Sequence, residues 1–398
     1  MPVINSIAND KDEVAAWRQE LHQNPQTCYE EEFASAFVKK KLTEWGIPFK
    51  ENIAKTGVVA TIEGQKTDSG KRIGLRADMD ALDIIEKSGV AHASKNPGKM
   101  HACGHDGHTA TLLGAAKYLS ENRNFNGTVH LIFQPAEEGG RGAHKMIEEG
   151  LFKDFPCDAV YGLHNWPWMP VGKVATRVGP LLASVDEFEI TITGVGGHAA
   201  MPHQTNDPAI IASQLVMGLQ SIVSRNVDPV ETAVLSITNM NVGTGAFNII
   251  GDVAKLSGTV RTFNNDIRHK IKKRIEDMLE YTCKAYGAEC HMDYDFNIDA
   301  TINTPDGVVA AVEALKEVVG EENIDADCAP CMGGEDFGAY LTEKPGAFIF
   351  VGQGVEGDEK SPHNHGLHSP YYDFNDDIIP VGASFFARVV EKSMPLEG

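Results

Sequence analysis

Apolar and polar positions follow helical and strand periods in turn along the N-terminal part of the chain. Apolar residues recur at helical spacing in two stretches, which predicts amphipathic helices over Lys11–Gln23 and Glu30–Trp45. Short apolar runs predict strands over Gly57–Glu63 and Arg72–Ala77. The second run ends directly in two acidic residues, Asp78 and Asp80. Ligands bind at the carboxyl ends of strands in open α/β sheets, so this position is a candidate site edge.

The order of strand, polar loop and helix then continues. Further strands are predicted to run into loops that carry Glu137-Glu138 and His164-Asn165. Repetition of this order indicates a mainly parallel sheet with its chemistry at one edge. The predicted elements of this part are strands over Thr128–Phe133 and Ala159–Leu163 and helices over Thr109–Leu119 and Gly142–Glu149.

The pattern changes near Gly179-Pro180 and changes back after residue 297. Between these points the predicted order is β-α-β-β-α-β, which is the ferredoxin-like arrangement. Its elements are Val185–Thr193, Ala209–Val223, Ala233–Thr238, Asp252–Thr262, a helix capped by Asp266 and ending at Gly287, and Cys290–Phe296. After it, the sequence predicts a helix over Pro305–Val319, a strand over Ala347–Val351 and a closing helix over Ile378–Lys392.

The predicted fold class is therefore α/β, with a mainly parallel-sheet catalytic domain interrupted by an inserted ferredoxin-like α+β satellite domain. We expect residues 1–182 and 298–398 to form the catalytic domain, and residues 183–297 to form the satellite. A length of 398 residues fits two domains better than one hydrophobic core.

Composition and charge restrict the partners. The net charge of −21, from 35 basic and 56 acidic residues, disfavours nucleic acid and anionic membranes. No stretch approaches the roughly 18 apolar residues of a membrane helix, and no leader pattern stands at the N-terminus. The odd number of seven cysteines argues against a secreted disulfide framework. We therefore expect a cytoplasmic protein.

A dense group of potential metal ligands lies in Met100–Thr109, which holds three histidines, a cysteine and an aspartate around two glycines. Cys103 and His105 are two positions apart, so in an extended segment their side chains share a face and could bind one ion. A polar loop with scattered histidines is the competing interpretation, and ligands elsewhere in the chain weigh against it.

Three such ligands are available at the same predicted sheet edge. Glu138 and His164 each follow a strand, and His368 comes from the C-terminal part of the chain. Five donors of thiolate, imidazole and carboxylate type suffice for two divalent ions about 3.5–4 Å apart, because a thiolate or carboxylate can bridge them. Zn, Mn, Co and Ni all suit such a mixed site.

The neighbouring Glu137 and Glu138 suggest a division of labour. Adjacent side chains point in different directions, so Glu138 can bind metal while Glu137 acts as general base on a water. Adjacent glutamates more often form a solvated surface, but these follow an apolar strand and precede two glycines. We interpret Asp78, Asp80 and His108 as groups that orient the ligands.

The motifs that contain these residues resemble the motifs of a known family. The chain is similar to the dinuclear-metal amidohydrolases that include hippurate hydrolases, auxin–amino acid conjugate hydrolases and bacterial N-acyl amino acid deacylases, which are relatives of aminoacylase and of glutamate-releasing carboxypeptidases. The family usually has proline where Asp83 stands, and His-Pro-Glu where Asn24-Pro25-Gln26 stands. The resemblance is carried by Gly74–Leu82, His101–Asp106, Phe133–Gly139, Gly162–His164, Gly196–His203, Gly333–Phe337 and Leu367-His368.

The resemblance implies the same five ligands and the same base as the chemistry above. It also implies that His198 stabilises an oxyanion, in its own or a partner's active site, and that Asn248 and Arg261 bind the substrate carboxylate. The competing interpretations are an ordinary turn histidine for His198 and a surface ion pair for Arg261. The family further implies a homodimer or higher homo-oligomer formed through the satellite.

The resulting functional prediction is metal-dependent hydrolysis of the amide bond of a small-molecule N-acyl amino acid, with an acetyl, benzoyl or similar acyl group. A dipeptidase or carboxypeptidase of related mechanism is the first alternative, since only the acyl half of the substrate differs. A non-catalytic metal-binding or dimerisation protein is the second, and the joint presence of ligands and base disfavours it.

Overall fold

The computed structural model describes residues 2–396, and the chain divides into two compact units. Within the described residues, unit 1 comprises 2–181, 302–329 and 336–396, and unit 2 comprises 182–301 and 330–335. Among residues 2–396 no helix has the length and hydropathy needed to span a membrane.

The helices are distributed along the whole chain. They are α1 (Asn5–Asn9), α2 (Lys11–His22), α3 (Glu32–Glu44), α4 (His105–Asn122), α5 (Gly142–Glu148), α6 (Leu151–Asp154), α7 (Pro208–Asn226), α8 (Asn265–Tyr286), α9 (Pro305–Val319), α10 (Gly338–Glu343) and α11 (Ile379–Ser393). Short 3₁₀ turns occur at Pro202–Gln204, Glu321–Asn323, Pro362–Asn364 and Asp376–Ile378.

The strands lie between these helices, in several places two or more in succession. They are β1 (Phe49–Ile53), β2 (Gly57–Glu63), β3 (Arg72–Asp78), β4 (Thr128–Gln134), β5 (Ala159–Pro170), β6 (Val174–Ala175), β7 (Gly179–Leu182), β8 (Ser184–Thr193), β9 (Gly197–His198), β10 (Ala233–Val242), β11 (Ile249–Ile250), β12 (Val253–Thr262), β13 (Glu289–Ile298), β14 (Thr301–Asn303), β15 (Ile324–Asp325) and β16 (Gly346–Gly354).

Unit 1 is built on an eight-stranded sheet with the order β1-β2-β4-β3-β5-β16-β6-β15. The central pairs β4–β3, β3–β5 and β5–β16 are parallel, whereas β1–β2 and β2–β4 are antiparallel. All nine residues of β16 are buried, as expected for a parallel strand covered on both faces. The predicted large, mainly parallel sheet is confirmed.

The packing of α4 fixes the start of this helix at the carboxyl end of the sheet. Its N-cap Gly104 has φ +98°, a left-handed conformation that lets the chain turn directly after Cys103. Gly107 lies against the ring of Phe374, where a Cβ atom would come within 2.3 Å of the ring. The helix therefore begins at His105, four residues before the predicted Thr109, and carries this histidine on its first turn.

Unit 2 contains a four-stranded antiparallel sheet with the order β10-β12-β8-β13. Apolar residues of α7 and α8 pack with β8 in one buried cluster, represented by Ile190, Leu215 and Ile275. The predicted cap of α8 is wrong: Asn264 is the N-cap, and its side chain accepts from the N–H groups of Asp266 and Ile267. Asparagine can accept from both backbone groups when it precedes the helix, whereas Asp266 already lies inside it.

Two strands and one helix have the predicted bounds or nearly so: Gly57–Glu63, Arg72–Asp78 and Pro305–Val319. The prediction for β5 is wrong at its end, since the strand passes Leu163 and continues to Pro170. Pairing with β16 explains the extension, because that strand bonds along β5 as far as Gly354 opposite Pro170. His164 therefore lies within a strand rather than in a loop.

Candidate metal centre

Unit 1 brings all five predicted metal ligands together in two groups. The donor atoms of Cys103, His105 and His164 lie within 4.8 Å of one another, as do those of Cys103, Glu138 and His368. The Cys103 sulfur belongs to both groups. This arrangement of one thiolate between two sets of ligands suits a pair of divalent ions.

The predicted ligands come from segments that are far apart in the sequence. Cys103 ends the loop before α4, and His105 begins that helix. Glu138 follows β4, and His164 lies in β5. His368 is held in a left-handed conformation with φ 65°, and its N–H donates to the carbonyl of Ala102 at 2.8 Å. This bond ties the C-terminal loop to the loop that carries Cys103.

The imidazole of His164 is set up as a neutral ligand. Its Nδ1 lies 2.8 Å from the carbonyl oxygen of Asn165, so Nδ1–H donates there and Nε2 is left as the free donor atom. That Nε2 lies 3.4 Å from the Cys103 sulfur. Burial, reinforced by His108, lowers the pKa of His164 well below its usual value. A neutral imidazole is the form that binds a metal ion.

The surroundings of His105 favour a positive charge at its ring. Its ring is buried, yet neither nitrogen has a hydrogen-bond partner within the described part of the chain. Burial alone would lower the pKa of His105, but Asp78 and Asp80 raise it to about 10. A divalent ion bound here would take the place of the ring proton and face the same two carboxylates.

The Cys103 thiol leads to the same conclusion. Burial, together with the charges of Glu138 and Glu137, raises the pKa of Cys103 well above its usual value. A buried thiol among carboxylates does not ionise readily unless a cation joins it. The donor set of thiolate, imidazole and carboxylate therefore fits divalent transition-metal ions.

Asp80 orients His105 and also the adjacent residues Glu137 and Glu138. One of its oxygens lies 3.3 Å from Nδ1 of His105. The carboxylate also accepts from the backbone N–H of Glu137 at 3.0 Å and of Glu138 at 2.9 Å. A single carboxylate thus fixes the direction in which both glutamates leave the backbone.

Asp78 and His108 form a second supporting pair. His108 Nδ1 lies 2.6 Å from Asp78, and its Nε2 lies 2.7 Å from the side-chain oxygen of Asn165. Arg76 donates to the other Asp78 oxygen at 2.7 Å. His105 and Arg76 keep the pKa of Asp78 low despite its burial, so it remains an anion beside the ligands.

The predicted base, Glu137, lies beside the donor groups. It is 7% exposed, and its Oε2 is 3.9 Å from Nε2 of His105. Its other oxygen accepts from the N–H of Asp336 at 3.4 Å. The donor atoms of Glu137, Glu138 and His105 lie within 4.8 Å of one another. Glu137 is therefore close enough to act on a water held at these ligands.

Below the first turn of α4, a buried ionic network supports the site. Asp106 accepts from His22 Nδ1 at 2.8 Å and forms an ion pair with Arg18, whose Nε lies 2.8 Å from the carboxylate. His22 also contacts Glu86 at 3.3 Å. Burial and the Arg18 guanidinium would lower the pKa of His22, but Asp106 and Glu86 raise it to about 9.

Two of the predicted residues in unit 2 lie next to each other and are exposed. His198, on β9, pairs with Ile249 of β11, and the N–H of Ala199 donates to the carbonyl of Asn248 at 3.0 Å. His198 Nδ1 accepts from the N–H of Ala200 at 3.1 Å. This bond leaves Nε2–H free as a donor.

Arg261 is not brought together with that pair within unit 2. Asn248 precedes β12, which starts at Val253, whereas Arg261 stands near the other end of the same strand. Eight residues at about 3.3 Å each separate these ends by roughly 26 Å. Arg261 donates to the carbonyl of Met332 at 3.0 Å. The assignment of Asn248 and Arg261 to one substrate carboxylate stays a prediction.

Several residues that support the site were missed in the sequence. Asn165 contacts His108 and also donates to the hydroxyl of Tyr372 at 2.7 Å. Its place directly after His164 was the one available signal. The residues Cys28, Tyr29 and Glu31 contact the backbone around Glu137 and Glu138 from far away in the sequence, and no spacing rule indicates such contacts.

Comparison with known proteins gives a consistent result. A family model described as "Peptidase family M20/M25/M40" matches residues 74–392. A hippurate hydrolase of Campylobacter jejuni is 40% identical over 98% of this chain and 99% of its own. An N-acetyl-L-cysteine deacetylase of Bacillus subtilis is 43% identical over 93% and 85%. An IAA-amino acid hydrolase of Arabidopsis thaliana (ILR1-like 4) is 40% identical over 94% and 84%.

Solved structures agree with the fold. A putative aminohydrolase from methicillin-resistant Staphylococcus aureus superposes with a TM-score of 0.90, at 33% identity over 99% of both chains. The YXEP protein of Bacillus subtilis, described as a dinuclear metal binding peptidase of the M20 family, superposes with a TM-score of 0.81. It is 32% identical over 97% of this chain and 99% of its own.

Proposed function

The chain belongs to peptidase family M20/M25/M40, and on that basis we propose that it is a metal-dependent amidohydrolase of N-acyl amino acids. Its products are a carboxylate and a free amino acid. The observation that carries the proposal is the pair of donor groups that share the Cys103 sulfur, with the buried Glu137 beside them. The names of the relatives, which include hippurate and N-acetylcysteine hydrolases, support a linear N-acyl amino acid as substrate.

Cys103, His105, Glu138, His164 and His368 would hold two divalent ions of Zn, Mn, Co or Ni type. Bound there, such ions supply water activation and polarisation of the scissile carbonyl. Glu137 accepts the proton of the attacking water and then delivers it to the departing nitrogen. Asp80 holds Glu137 in place for both transfers through its backbone N–H.

We assign His198 as a donor to the developing oxyanion, since its Nε2–H is free. Mixing His198→Ala with Glu137→Gln protein tests which active site it serves. Regained activity in mixed oligomers places His198 in the partner's site, and no regain places it in its own.

Asn248 and Arg261 are assigned to the substrate carboxylate. Because Asn248 precedes the start of β12 and Arg261 lies near the other end of that strand, we propose that a second copy supplies one of the two to a given site. Arg261→Lys should raise KM for N-acyl amino acids but not for their carboxamides, because only the former carry the negative charge that an arginine fork binds.

We propose that residues 183–297 form an inserted ferredoxin-like satellite that acts as a lid and a dimerisation domain. Exposed apolar side chains on it, including Met217 at 75% and Phe247 at 105% relative exposure, support a self-association surface. Size-exclusion chromatography with light scattering tests the homodimer. We also propose a cytoplasmic location, which the seven free cysteines support.

The decisive experiment is a substrate panel run with metal-stripped protein refilled with one metal at a time. N-acetyl and N-benzoyl amino acids should be hydrolysed faster than dipeptides of the same C-terminal residue. Metal ions that bind without any hydrolysis of amides would instead favour a non-catalytic protein.

A metallopeptidase is the second candidate, and the descriptions of the family and of the YXEP protein favour it. The same panel separates the two functions. A peptidase either requires the free amine that N-acyl substrates lack or hydrolyses peptides faster than N-acyl amino acids. Higher kcat/KM for dipeptides than for N-acyl amino acids would establish it in place of the amidase.

A further inference from the structure

The turn that carries the proposed base and a metal ligand is held by side chains from far away in the chain. We call residues 136–140 the glutamate turn and residues 28–31 the clamp segment. The family match begins only at residue 74, so the clamp segment lies outside it. Both segments belong to unit 1.

The glutamate turn begins with an unusual backbone. Ala136 is fully buried and has φ 55°, a left-handed conformation that residues with a Cβ atom seldom adopt. Such a conformation persists only where the surroundings fix it. Tyr29 in the clamp segment is also left-handed, with φ 61°.

One carboxylate oxygen joins these two residues. Oε1 of Glu31 accepts from the N–H of Ala136 and from the N–H of Tyr29, both at 2.9 Å. The other oxygen, Oε2, accepts from the Thr56 hydroxyl. Glu31 is fully buried, so these bonds are shielded from water.

The clamp segment also holds the far side of the turn. The Cys28 sulfur lies 2.9 Å from the carbonyl of Glu138, and the Tyr29 hydroxyl donates to the carbonyl of Gly140 at 2.6 Å. Asp80 accepts from the N–H groups of Glu137 and Glu138. The backbone of the turn is therefore fixed from both ends, and the directions of the Glu137 and Glu138 side chains follow from it.

We propose that Glu31 is a positioning residue for the reaction, which holds Glu137 over the attacking water and Glu138 against the metal ions through the left-handed Ala136. The inference rests on the roles of Glu137 and Glu138 in the proposed function. It assigns Glu31 no contact with substrate.

The test compares two substitutions of Glu31. Glu31→Ala removes both acceptor oxygens and should lower kcat at saturating substrate and metal by about 10–100-fold, with little change in KM. It should also weaken Zn²⁺ binding by about 10-fold or more in a chelator competition, because Glu138 moves with the turn. Glu31→Gln keeps an acceptor oxygen for Ala136 and should stay within about threefold of the wild type in both measurements.

A matched control separates positioning from stability. Asn303 is also buried, and its side chain bonds the backbone of Phe348 and Arg177, away from the glutamate turn. Asn303→Ala should lower the melting temperature as Glu31→Ala does, but leave kcat and Zn²⁺ affinity unchanged. Should Glu31→Ala fail to fold, Thr56→Val frees one Glu31 oxygen without removing the carboxylate and should lower kcat and Zn²⁺ affinity by about two- to fivefold.

Three results would overturn the proposal. The first is Glu31→Ala with kcat and Zn²⁺ affinity close to the wild type, or in its place an unaffected Thr56→Val. The second is Glu31→Gln as impaired as Glu31→Ala, and the third is Asn303→Ala with the same two losses. The Zn²⁺ measurement uses no substrate, so a failure of the proposed amidase activity remains distinguishable from a failure of this inference.

Discussion

Nε2 of His368 lies 2.9 Å from Oε1 of Glu138, although one comes from the C-terminal loop and the other follows β4. The imidazole is 53% exposed and the carboxylate 13%, so this pair forms the open side of the donor set. The opposite side, made by Cys103, His105 and His164, is buried. Two halves with such different exposure should differ in how readily they release a metal ion.

His368→Ala should therefore reduce bound metal from two ions per chain to one, since it leaves the buried group of Cys103, His105 and His164 intact. Metal content after dialysis, measured by inductively coupled plasma mass spectrometry, checks the change. His365→Ala, in the same loop but outside both donor groups, should keep both ions. Equal metal content in both variants would contradict the assignment of His368.

Glu137→Gln should lower kcat by on the order of 10²–10⁴, because the amide cannot accept the proton of the attacking water. Metal content should not change, since Glu137 is not assigned as a ligand. Glu148→Gln on α5, an exposed glutamate nearby, should keep full activity. Substantial turnover by Glu137→Gln would remove this residue from the mechanism.

His198→Ala should lower kcat by about 10²–10³ with a smaller change in KM, as expected for the loss of an oxyanion donor. Steady-state kinetics at saturating metal measures the split. His203→Ala, an exposed histidine of the adjoining turn, serves as the control and should behave like the wild type. A loss confined to KM would indicate substrate binding in place of oxyanion stabilisation.

The ionic network below α4 should make stability depend on pH in the alkaline range. The pKa of His22 is raised from 6.5 to about 9, so its protonated form stabilises the fold fully below pH 6.5. This contribution, on the order of 3 kcal/mol, is lost as the pH rises through 9. His22→Gln should lack this part of the pH dependence.

Urea denaturation of both proteins at pH 6.5 and 9.5, with a chelator present throughout, measures the effect. The comparison is between the two proteins, because other groups also titrate in this range. Unfolding free energies that fall in parallel for wild type and His22→Gln would show that His22 is not the responsible group.

The sequence was sufficient for those parts of the site that depend on local patterns. Glu138 is predicted as a ligand because it follows an apolar strand, and Cys103 and His105 because they are two residues apart. The structure brings their donor atoms into two groups that share the Cys103 sulfur. Strand ends proved harder: β5 continues past His164 because β16 pairs with it, and no residue near His164 reveals that partner.

The supporting contacts were beyond sequence reasoning for a physical reason. The bond from Ala136 to Glu31 depends on two left-handed residues and on chain segments that meet only after folding. Likewise, Arg261 has the chemistry for binding a carboxylate, but only the length of β12 reveals its separation from Asn248. Residue type indicates what a side chain can bind, whereas distance within the fold decides what it reaches.

The left-handed loop that delivers His368 has a consequence for biosynthesis. A ribosome makes the other four donors earlier, but the strand that carries His164 pairs with β16, and the first turn of α4 packs against Phe374. Glu138 and His368 come together only after the loop that carries His368 has been made, because the N–H of His368 donates to the carbonyl of Ala102. Both donor groups can therefore form only when nearly all of the polypeptide has emerged from the ribosome.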